Sequence, residues 1–403
     1  MTGNANLALP VYTFSFILGL FFSLLGIQSA FFRKNQIIPR RLRLLLLTSF
    51  IINALWLIPL LIFKPNLPGV LAFIYVAVFP FAIYGFTRLS EKQLFIALGI
   101  CTLALSGSVV WDYIELNTTL VENGVNLTID RQLLLRPNTY ETISTTGALM
   151  RPAGILGPRP HDASNLLAIL AIYWIALIFR KGRTKVQTYV LSAVSITAML
   201  MTQVASNILA FFLGLLFSIF AYRKNIFRRA NILRIIISVF IGLATVNIYT
   251  IYSGMDSRTL WQWSMRVDSE GDWAGMTNTG IMNVRSDLLA ALVGHSTSMG
   301  LSEVGKSSEA SFVKLLMDLG LIPFIIFMLI LSYPIRQYTA MQKQNKELAL
   351  PYVAAVFVGF ISLWHYGSVL TTTNEFVFLA LYTRVLIISA DERENQQFNA
   401  PKP

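Results

Sequence analysis

Repeated apolar runs, each near twenty residues long and almost free of charge, most constrain the fold of this 403-residue chain. An α-helix rises about 1.5 Å per residue, so about 20 residues cross the hydrocarbon core of a bilayer. Hydrophobic residues make up 55% of the sequence and charged residues 13%, about half the charged fraction of an average soluble domain. A soluble fold could not cover so much apolar surface. The chain is therefore predicted to be an integral membrane protein.

Division of the sequence at its charged residues predicts an all-α, polytopic transmembrane domain over residues 1–403, with about eleven spans and a range of about ten to twelve. The predicted spans are 9–31, 44–63, 70–86, 94–111, 164–179, 186–204, 207–222, 235–252, 311–332, 351–366 and 376–390. The apolar run 186–222 is long enough for two spans and predicts a helical hairpin. Its polar tip consists of Thr202, Gln203, Ser206 and Asn207.

The net charge of +12 lies in short basic clusters between apolar runs, so we do not expect nucleic acid as a partner. Lysine and arginine are enriched in the cytoplasmic loops of membrane proteins. If the basic clusters face the cytoplasm, two long loops, 112–163 and 253–310, lie on the other side, which is the periplasm in a bacterium. We therefore expect a multi-pass protein of the bacterial inner membrane, with its site facing the periplasm.

These two loops contain seven arginines, although basic residues are depleted on the periplasmic side. They are Arg131, Arg136, Arg151, Arg159, Arg258, Arg266 and Arg285. A guanidinium group donates two parallel hydrogen bonds to paired phosphate oxygens and stays charged at physiological pH. The arginines therefore predict a binding site for an anionic ligand. Structural salt bridges with acidic residues of the same loops are the alternative explanation.

The segment 151–164, Arg-Pro-Ala-Gly-Ile-Leu-Gly-Pro-Arg-Pro-His-Asp-Ala-Ser, leads into a predicted helix. Its glycines and prolines predict a tight path that places Arg151, Arg159 and His161 at a helix N-terminus, where the helix dipole favours anions. In the second loop, Arg285 precedes an apolar stretch, and Glu309 leads into the next helix.

These motifs resemble the core signatures of bacterial O-antigen polymerases and O-antigen ligases. The first is an arginine, a glycine, a proline and a small residue entering a helix, here Arg151, Gly154, Pro158 and Ala163. The others are the hairpin tip 202–206, the arginine-to-glycine segment 285–294 and the helix 309–320. The resemblance extends over residues 145–335.

The resemblance implies a metal-independent membrane glycosyltransferase of the GT-C type, which polymerises undecaprenyl-pyrophosphate-linked oligosaccharide repeat units at the periplasmic face. Ligases of this superfamily have a histidine followed by Asn, Ser or Gln near the helix glycine. This chain has Glu309 followed by Ala310, which favours a polymerase over a ligase that delivers glycan to lipid A core. The implied partners also include membrane lipid and a chain-length regulator protein. A polysaccharide or lipid transporter or flippase is the alternative from another class.

Glycosyl transfer from a lipid pyrophosphate needs positive charge at the leaving group. Arg151, Arg159 and Arg285 are predicted to bind the pyrophosphate, with Arg258 and Arg266 as further candidates.

The reaction also needs a base that takes the proton of the attacking sugar hydroxyl. Glu309 is the first candidate, and His295 and His161 follow. Glu309 could instead only cap the helix that follows it. The outer loops lack an Asp-x-Asp motif or a cluster with metal-ligand spacing, and the one cysteine, Cys101, lies in an apolar run. We therefore expect no metal and no cofactor.

Overall fold

The protein folds into two compact units. A computed structural model describes residues 3–32, 37–63, 70, 73–123, 152, 154–156, 160–180, 186–221, 292, 315–316, 319–363 and 372–399. The first unit comprises Met1–Phe14 and Phe95–Glu270, and the second comprises Ser15–Leu94 and Gly271–Pro403. The predicted span 235–252 lies outside the described residues, and so does the second long loop, 253–310, apart from one residue.

All regular secondary structure in the described ranges is helical, which confirms the predicted all-α class. Ten helices longer than one short turn occur there. They are α1 (Gly3–Phe32), α2 (Arg40–Phe63), α3 (Ile74–Phe86), α4 (Glu91–Asn123), α5 (Pro160–Phe179), α6 (Val186–Met201), α7 (Ala205–Ala221), α8 (Leu321–Ala340), α9 (Lys343–Ser362) and α10 (Thr372–Asn399).

Five of these helices are long and apolar enough to cross a membrane. The stretches concerned are Thr13–Phe32, Glu91–Ile114, Pro160–Phe179, Leu321–Ala340 and Thr373–Glu394. The helices α3, α6 and α7 are apolar but shorter. The helical character of ten predicted spans is thus confirmed, since each overlaps one of the ten helices. The total of about eleven spans and the GT-C fold stay predictions.

In the first unit, α5 is the central helix. Pro160 at its first position has the backbone angle of a helix and lacks an N–H group that would have no helical acceptor. Asp162 in the first turn complements the helix dipole. The helix is buried over almost its whole length and packs against α6 and α7. It is joined to α4 by the indole N–H of Trp174, which donates to Thr102 Oγ1 at 2.9 Å.

The predicted hairpin tip is confirmed as the turn between α6 and α7. The first of these helices ends at Met201 and the second begins at Ala205. Between them, Gln203 has a φ of 52°, in the left-handed region that reverses the chain direction. Thr202 and Gln203 are buried, so this polar turn is part of the interior of the unit.

The segment predicted as the first long loop, 112–163, is helical at both ends. Helix α4 continues to Asn123, and α5 already begins at Pro160. Asp112 is charged and marks the end of the predicted apolar span, but its side chain is buried and accepts a hydrogen bond from Gly154. A buried carboxylate with a donor partner can remain within a helix.

In the second unit, two predicted spans differ from the helices. The predicted span 70–86 overlaps α3, whose chain passes from a π turn through a 3₁₀ turn to an α turn, and Pro80 within it has no N–H to donate. The predicted span 311–332 is wrong in its bounds and in its continuity. Gly320, with a φ of 84°, precedes α8, which then runs from Leu321 to Ala340.

The helices of the second unit pack around α8 and α10. Helix α8 contacts α2, α9 and α10, and α10 also contacts α9 and α3. The hydroxyl of Tyr382 in α10 donates to the carbonyl oxygen of Ile330 in α8 at 2.7 Å. Close approach of α1 to α3 is possible because residue 26 is glycine: a Cβ there would lie 2.0 Å from the carbonyl oxygen of Phe81.

Candidate functional site

His161 is the one predicted site residue that the structure describes. The others lie outside the described residues and stay predictions: Arg151, Arg159, Arg258, Arg266, Arg285, His295 and Glu309. The site is therefore built from His161 and the described side chains around the beginning of α5.

His161 is the second residue of α5, and it is buried although it lies at the end of a helix. Its carbonyl oxygen accepts a hydrogen bond from Nδ2 of Asn207 at 3.0 Å, across 46 residues of sequence. Asn207 lies in the first turn of α7, next to the polar turn after α6. Two segments that the sequence marked separately, 151–164 and the hairpin tip, are thus in direct contact.

The chain before α5 is attached to α4 by two hydrogen bonds. The backbone N–H of Gly154 donates to Asp112 Oδ2 at 2.8 Å, and the backbone N–H of Ile155 donates to Ser108 Oγ at 3.1 Å. Ser108 and Asp112 are four residues apart and therefore lie on the same face of α4. The short 3₁₀ turn that they hold, Gly154–Leu156, also packs against α5.

Gly154 is required at this attachment for two reasons. Its φ of 61° lies in the left-handed region, where a side chain is disfavoured. A Cβ at this position would lie 2.7 Å from Ser108 Oγ and 2.9 Å from Val109 Cγ2. The glycine noted in the sequence motif therefore allows the backbone to approach α4 closely enough for both hydrogen bonds.

The beginning of α5 and the segments that contact it, α4 and the turn into α7, carry buried polar side chains, which we call the polar cluster. Its members are Asp112, His161, Asp162, Asn165, Gln203 and Asn207. His161 and Asn165 are one helical turn apart on α5. The cluster contains two carboxyl groups, one imidazole and three carboxamides, which together can bind a hydroxyl-rich ligand and can hold or transfer a proton.

Ionisable side chains within apolar helices are costly to bury, so they mark functional sites more often than structural ones. The sequence indicated His161 and the hairpin tip, but it did not indicate Asp112, Asp162 or Asn165 as members of a site. The signal for Asp112 was its spacing from Ser108, which places both side chains on one face of a helix. Among the described residues, no group of three or more His, Cys, Asp and Glu side chains could hold a metal ion.

No protein family matches this sequence, and a comparison with curated proteins finds no match either.

Proposed function

We propose that this protein is a membrane glycosyltransferase that polymerises undecaprenyl-pyrophosphate-linked oligosaccharide repeat units at the periplasmic face of the bacterial inner membrane. The observation that carries the proposal is the hydrogen bond between Asn207 and the backbone of His161. It joins the segment 151–164 to Asn207, the residue directly after the hairpin-tip motif 202–206, and both of these motifs resemble signatures of O-antigen polymerases. If the resemblance of these two distant segments to the family arose by chance, there would be no reason for the segments to lie in contact.

The attachment of the segment 151–164 supports a role in binding the donor. Arg151 and Arg159 lie, in sequence, three residues before and three residues after the turn 154–156, which Asp112 and Ser108 hold against α4. Preorganised positive groups stabilise developing negative charge without a reorganisation cost at the moment of reaction. A pyrophosphate leaving group carries such negative charge. Two arginines that are close in sequence to a fixed backbone segment are therefore suited to stabilise it.

The reaction transfers the growing glycan from its pyrophosphate to a hydroxyl of the next repeat unit. The bond between the anomeric carbon and the pyrophosphate oxygen breaks, and a bond from that carbon to the attacking hydroxyl oxygen forms. The pyrophosphate leaves with the electron pair, bound by Arg151, Arg159 and Arg285. A base takes the hydroxyl proton. Glu309 is the first candidate for this base, and His295 and His161 are the alternatives.

An O-antigen ligase would use the same donor and the same arginines, but it would deliver the glycan to lipid A core. The replacement of the ligase histidine by Glu309 favours the polymerase.

A transporter or flippase is the second candidate, and one observation favours it. Four carboxyl groups are buried in helices of the described chain, those of Asp112, Asp162, Glu375 and Glu392. Buried ionisable groups in membrane helices often belong to ion or substrate pathways.

A reconstitution experiment separates these functions. The purified protein is incubated with an undecaprenyl-pyrophosphate-linked repeat unit, and the lipid-linked products are resolved by size. We expect a ladder of longer products with no lipid A present, loss of the ladder in Arg159→Lys, and an unchanged ladder in Arg88→Lys, since Arg88 is an exposed residue of the second unit.

Three other results would replace the proposal. Transfer only after addition of lipid A core identifies a ligase. Movement of an unchanged repeat unit across a proteoliposome membrane identifies a flippase. A ladder in Arg159→Lys equal to that of the wild type removes Arg159 from the donor site.

A further inference from the structure

Glu375 is a carboxyl group in the interior of the second unit, outside the site described above. It lies in the first turn of α10, and only 4% of its surface is exposed. Its Oε2 atom has no hydrogen-bond partner among the described residues. A buried polar atom without a partner costs free energy, and the cost is greatest for a charged group. Glu375 is therefore a candidate for a ligand site and not for a structural contact.

Two other buried carboxyl groups of the described chain have backbone donors. Asp112 accepts the N–H of Gly154 at 2.8 Å, and Glu392 accepts the N–H of Gln342 at 2.8 Å. Glu392 lies on the same helix as Glu375 and is buried to a similar degree, with 6% of its surface exposed. The fold thus supplies a donor where a carboxylate joins two segments, and the described residues supply none to Oε2 of Glu375.

The ring of Phe376, the residue after Glu375, shows how deep this position lies. Its centroid is 5.0 Å from that of Phe79, which is near the middle of α3. Helix α1 approaches the same ring closely, because a Cβ at Gly19 would overlap it. Gly19 is near the middle of α1 and of the predicted span 9–31. Glu375 therefore lies level with the middle of two apolar helices and not with their ends.

The register of α8 against α10 places a second helix end at the same level. Tyr382 donates to the carbonyl oxygen of Ile330 at 2.7 Å, and Ser389 donates to Gln337 Oε1 at 3.0 Å. Both pairs are 52 residues apart in sequence. The two helices therefore run parallel with a constant offset, and this offset puts the first turn of α10 level with the first turn of α8.

Two opposing effects act on a carboxyl group at this place. Phe378 and Leu379, three and four residues after Glu375 and on the same face of α10, are fully buried apolar side chains. Apolar surroundings favour the neutral, protonated form of a carboxyl group. The first-turn N–H groups of α8 and α10 have no helical acceptor, and helix N-termini favour the negative form. A group under both effects can hold a proton and can also release it.

The charged side chains of the neighbouring helices lie far from this level. Arg384 is nine residues further along α10, about 14 Å, and its Nη2 lies 3.8 Å from Glu91 Oε2. The other ionisable side chains of α3, α8 and α9, with Tyr382 of α10, are Tyr75, Tyr84, Tyr333, Arg336, Tyr338, Lys343, Lys346, Glu347, Tyr352 and Tyr382. The charged members of this set lie toward the end of α8 and at the beginning of α9, which is the end of α10 that Glu392 joins to Gln342. Within the described part of the chain, no fixed positive charge therefore balances an ionised Glu375.

We propose that Glu375 is an exchangeable proton-binding site inside the membrane domain. On binding, the proton forms an O–H bond with a carboxylate oxygen and the group becomes neutral. On release, the N-termini of α8 and α10 stabilise the carboxylate. Ionisable residues within membrane helices often belong to proton relays and ion pathways. The site depends on neither the glycan-processing reaction nor the flippase function, and it could serve a proton-coupled step of either.

Infrared spectroscopy of the purified full-length protein in nanodiscs tests the proposal. A protonated carboxyl group has a C=O stretching band at a frequency where carboxylates and carboxamides do not absorb. Spectra are recorded across the pH range in which the protein stays folded. We expect Glu375→Gln to lose one such band. In the wild type, this band should fall about tenfold for each pH unit above its midpoint. The matched control is Glu392→Gln, which removes the other buried carboxyl group described on α10 and should leave the band unchanged.

Three results would overturn the proposal. Absence of a Glu375-dependent band at every pH would show a carboxyl group that is always ionised. A Glu375-dependent band that does not change with pH would show a group that is always neutral and only structural. Loss of the band when sodium chloride replaces choline chloride at constant pH and ionic strength would reassign the site to a sodium ion, the other cation that membrane carboxylates bind.

Glu375→Asp provides a second variant that keeps the carboxyl group, in case Glu375→Gln fails to fold. Its shorter side chain changes the surroundings of the group, so we expect the band to move in frequency and its midpoint to shift. A band with the frequency and midpoint of the wild type in Glu375→Asp would assign the titrating proton to another residue and would also overturn the proposal.

Discussion

Replacement of Gly154 by alanine should release the chain before α5 from α4. The new Cβ would lie 2.7 Å from Ser108 Oγ and 2.9 Å from Val109 Cγ2, at a backbone φ of 61°. The left-handed conformation costs a non-glycine residue about 1–2 kcal/mol. Crowding of a packed site adds about 1–3 kcal/mol. Retention of the native contacts in Gly154→Ala would therefore cost about 2–5 kcal/mol.

The segment before α5 can avoid this cost only by detaching from α4, and detachment has a free-energy cost of its own. Two hydrogen bonds, to Asp112 and Ser108, would be lost, at about 1 kcal/mol each. Leu156, now 3% exposed, would lose about 2 kcal/mol of burial. The two routes have similar costs, so we expect the attached state to be weakened by about 2–4 kcal/mol.

Hydrogen exchange measured by mass spectrometry on the purified protein reports this change. Since 1.4 kcal/mol corresponds to a factor of about ten, the amides of residues 154 and 155 should exchange about 30 to 1,000 times faster in Gly154→Ala. The matched control is Gly107→Ala on α4, where an added Cβ meets no atom within 4 Å. Exchange in Gly154→Ala as slow as in Gly107→Ala would refute the attachment described here.

Four further predictions concern other contacts and the proposed reaction. Asn207→Asp replaces the donor to the α5 carbonyl by a carboxylate and should lower the free energy of unfolding by about 1–3 kcal/mol; an unchanged thermal midpoint would contradict that hydrogen bond. Gly26→Ala places a Cβ 2.0 Å from the Phe81 carbonyl oxygen and should cost about 3 kcal/mol or more, whereas a yield and midpoint equal to wild type would be incompatible with the close approach of α1 to α3. Arg151→Lys should abolish most ladder formation at unchanged protein level, because lysine loses the bidentate fork; near-normal chain extension would leave only a general role for its charge. Glu309→Gln should lower turnover about a hundredfold while donor binding survives, and a fully active variant would move the search for the base to the histidines.

The sequence predicted the helices well where one physical signal dominated. Length and apolar composition were sufficient for α4, α5 and α10. The basic ends and polar centre of the run 186–222 correctly predicted two helices and the turn near Gln203. These predictions succeeded because a long apolar run has few other ways to satisfy its backbone polar groups in a membrane.

The sequence failed where a tertiary contact decided the local structure. Asp112 carries a charge, and charge alone indicated the end of a span, but its hydrogen bond with Gly154 keeps it inside α4. Gly320 has a positive φ that interrupts the run 311–332, which is apolar enough over most of its length to predict one helix. The hydrogen-bond partner of Asp112 and the backbone angle of Gly320 cannot be deduced from composition. The first depends on a residue distant in sequence, and the second depends on packing.

The polar cluster was only partly predictable for the same reason. His161 belonged to a recognisable segment, and Asn207 to the hairpin tip. Their contact across 46 residues, and the attachment of the turn at Gly154 to α4, appear only in the folded chain.

The burial of α5 affects how the protein can be inserted during synthesis. Its residues are shielded over nearly the whole length, but α6 and α7, which cover it, are synthesised later. Until Asn207 arrives, the newly made helix presents His161, Asp162 and Asn165 to lipid or to the insertion machinery. If the chain is stalled at a length that exposes all of α5 while α7 is still inside the ribosome, α5 should therefore stay next to the translocon, and its release into the bilayer should follow only when α7 has emerged.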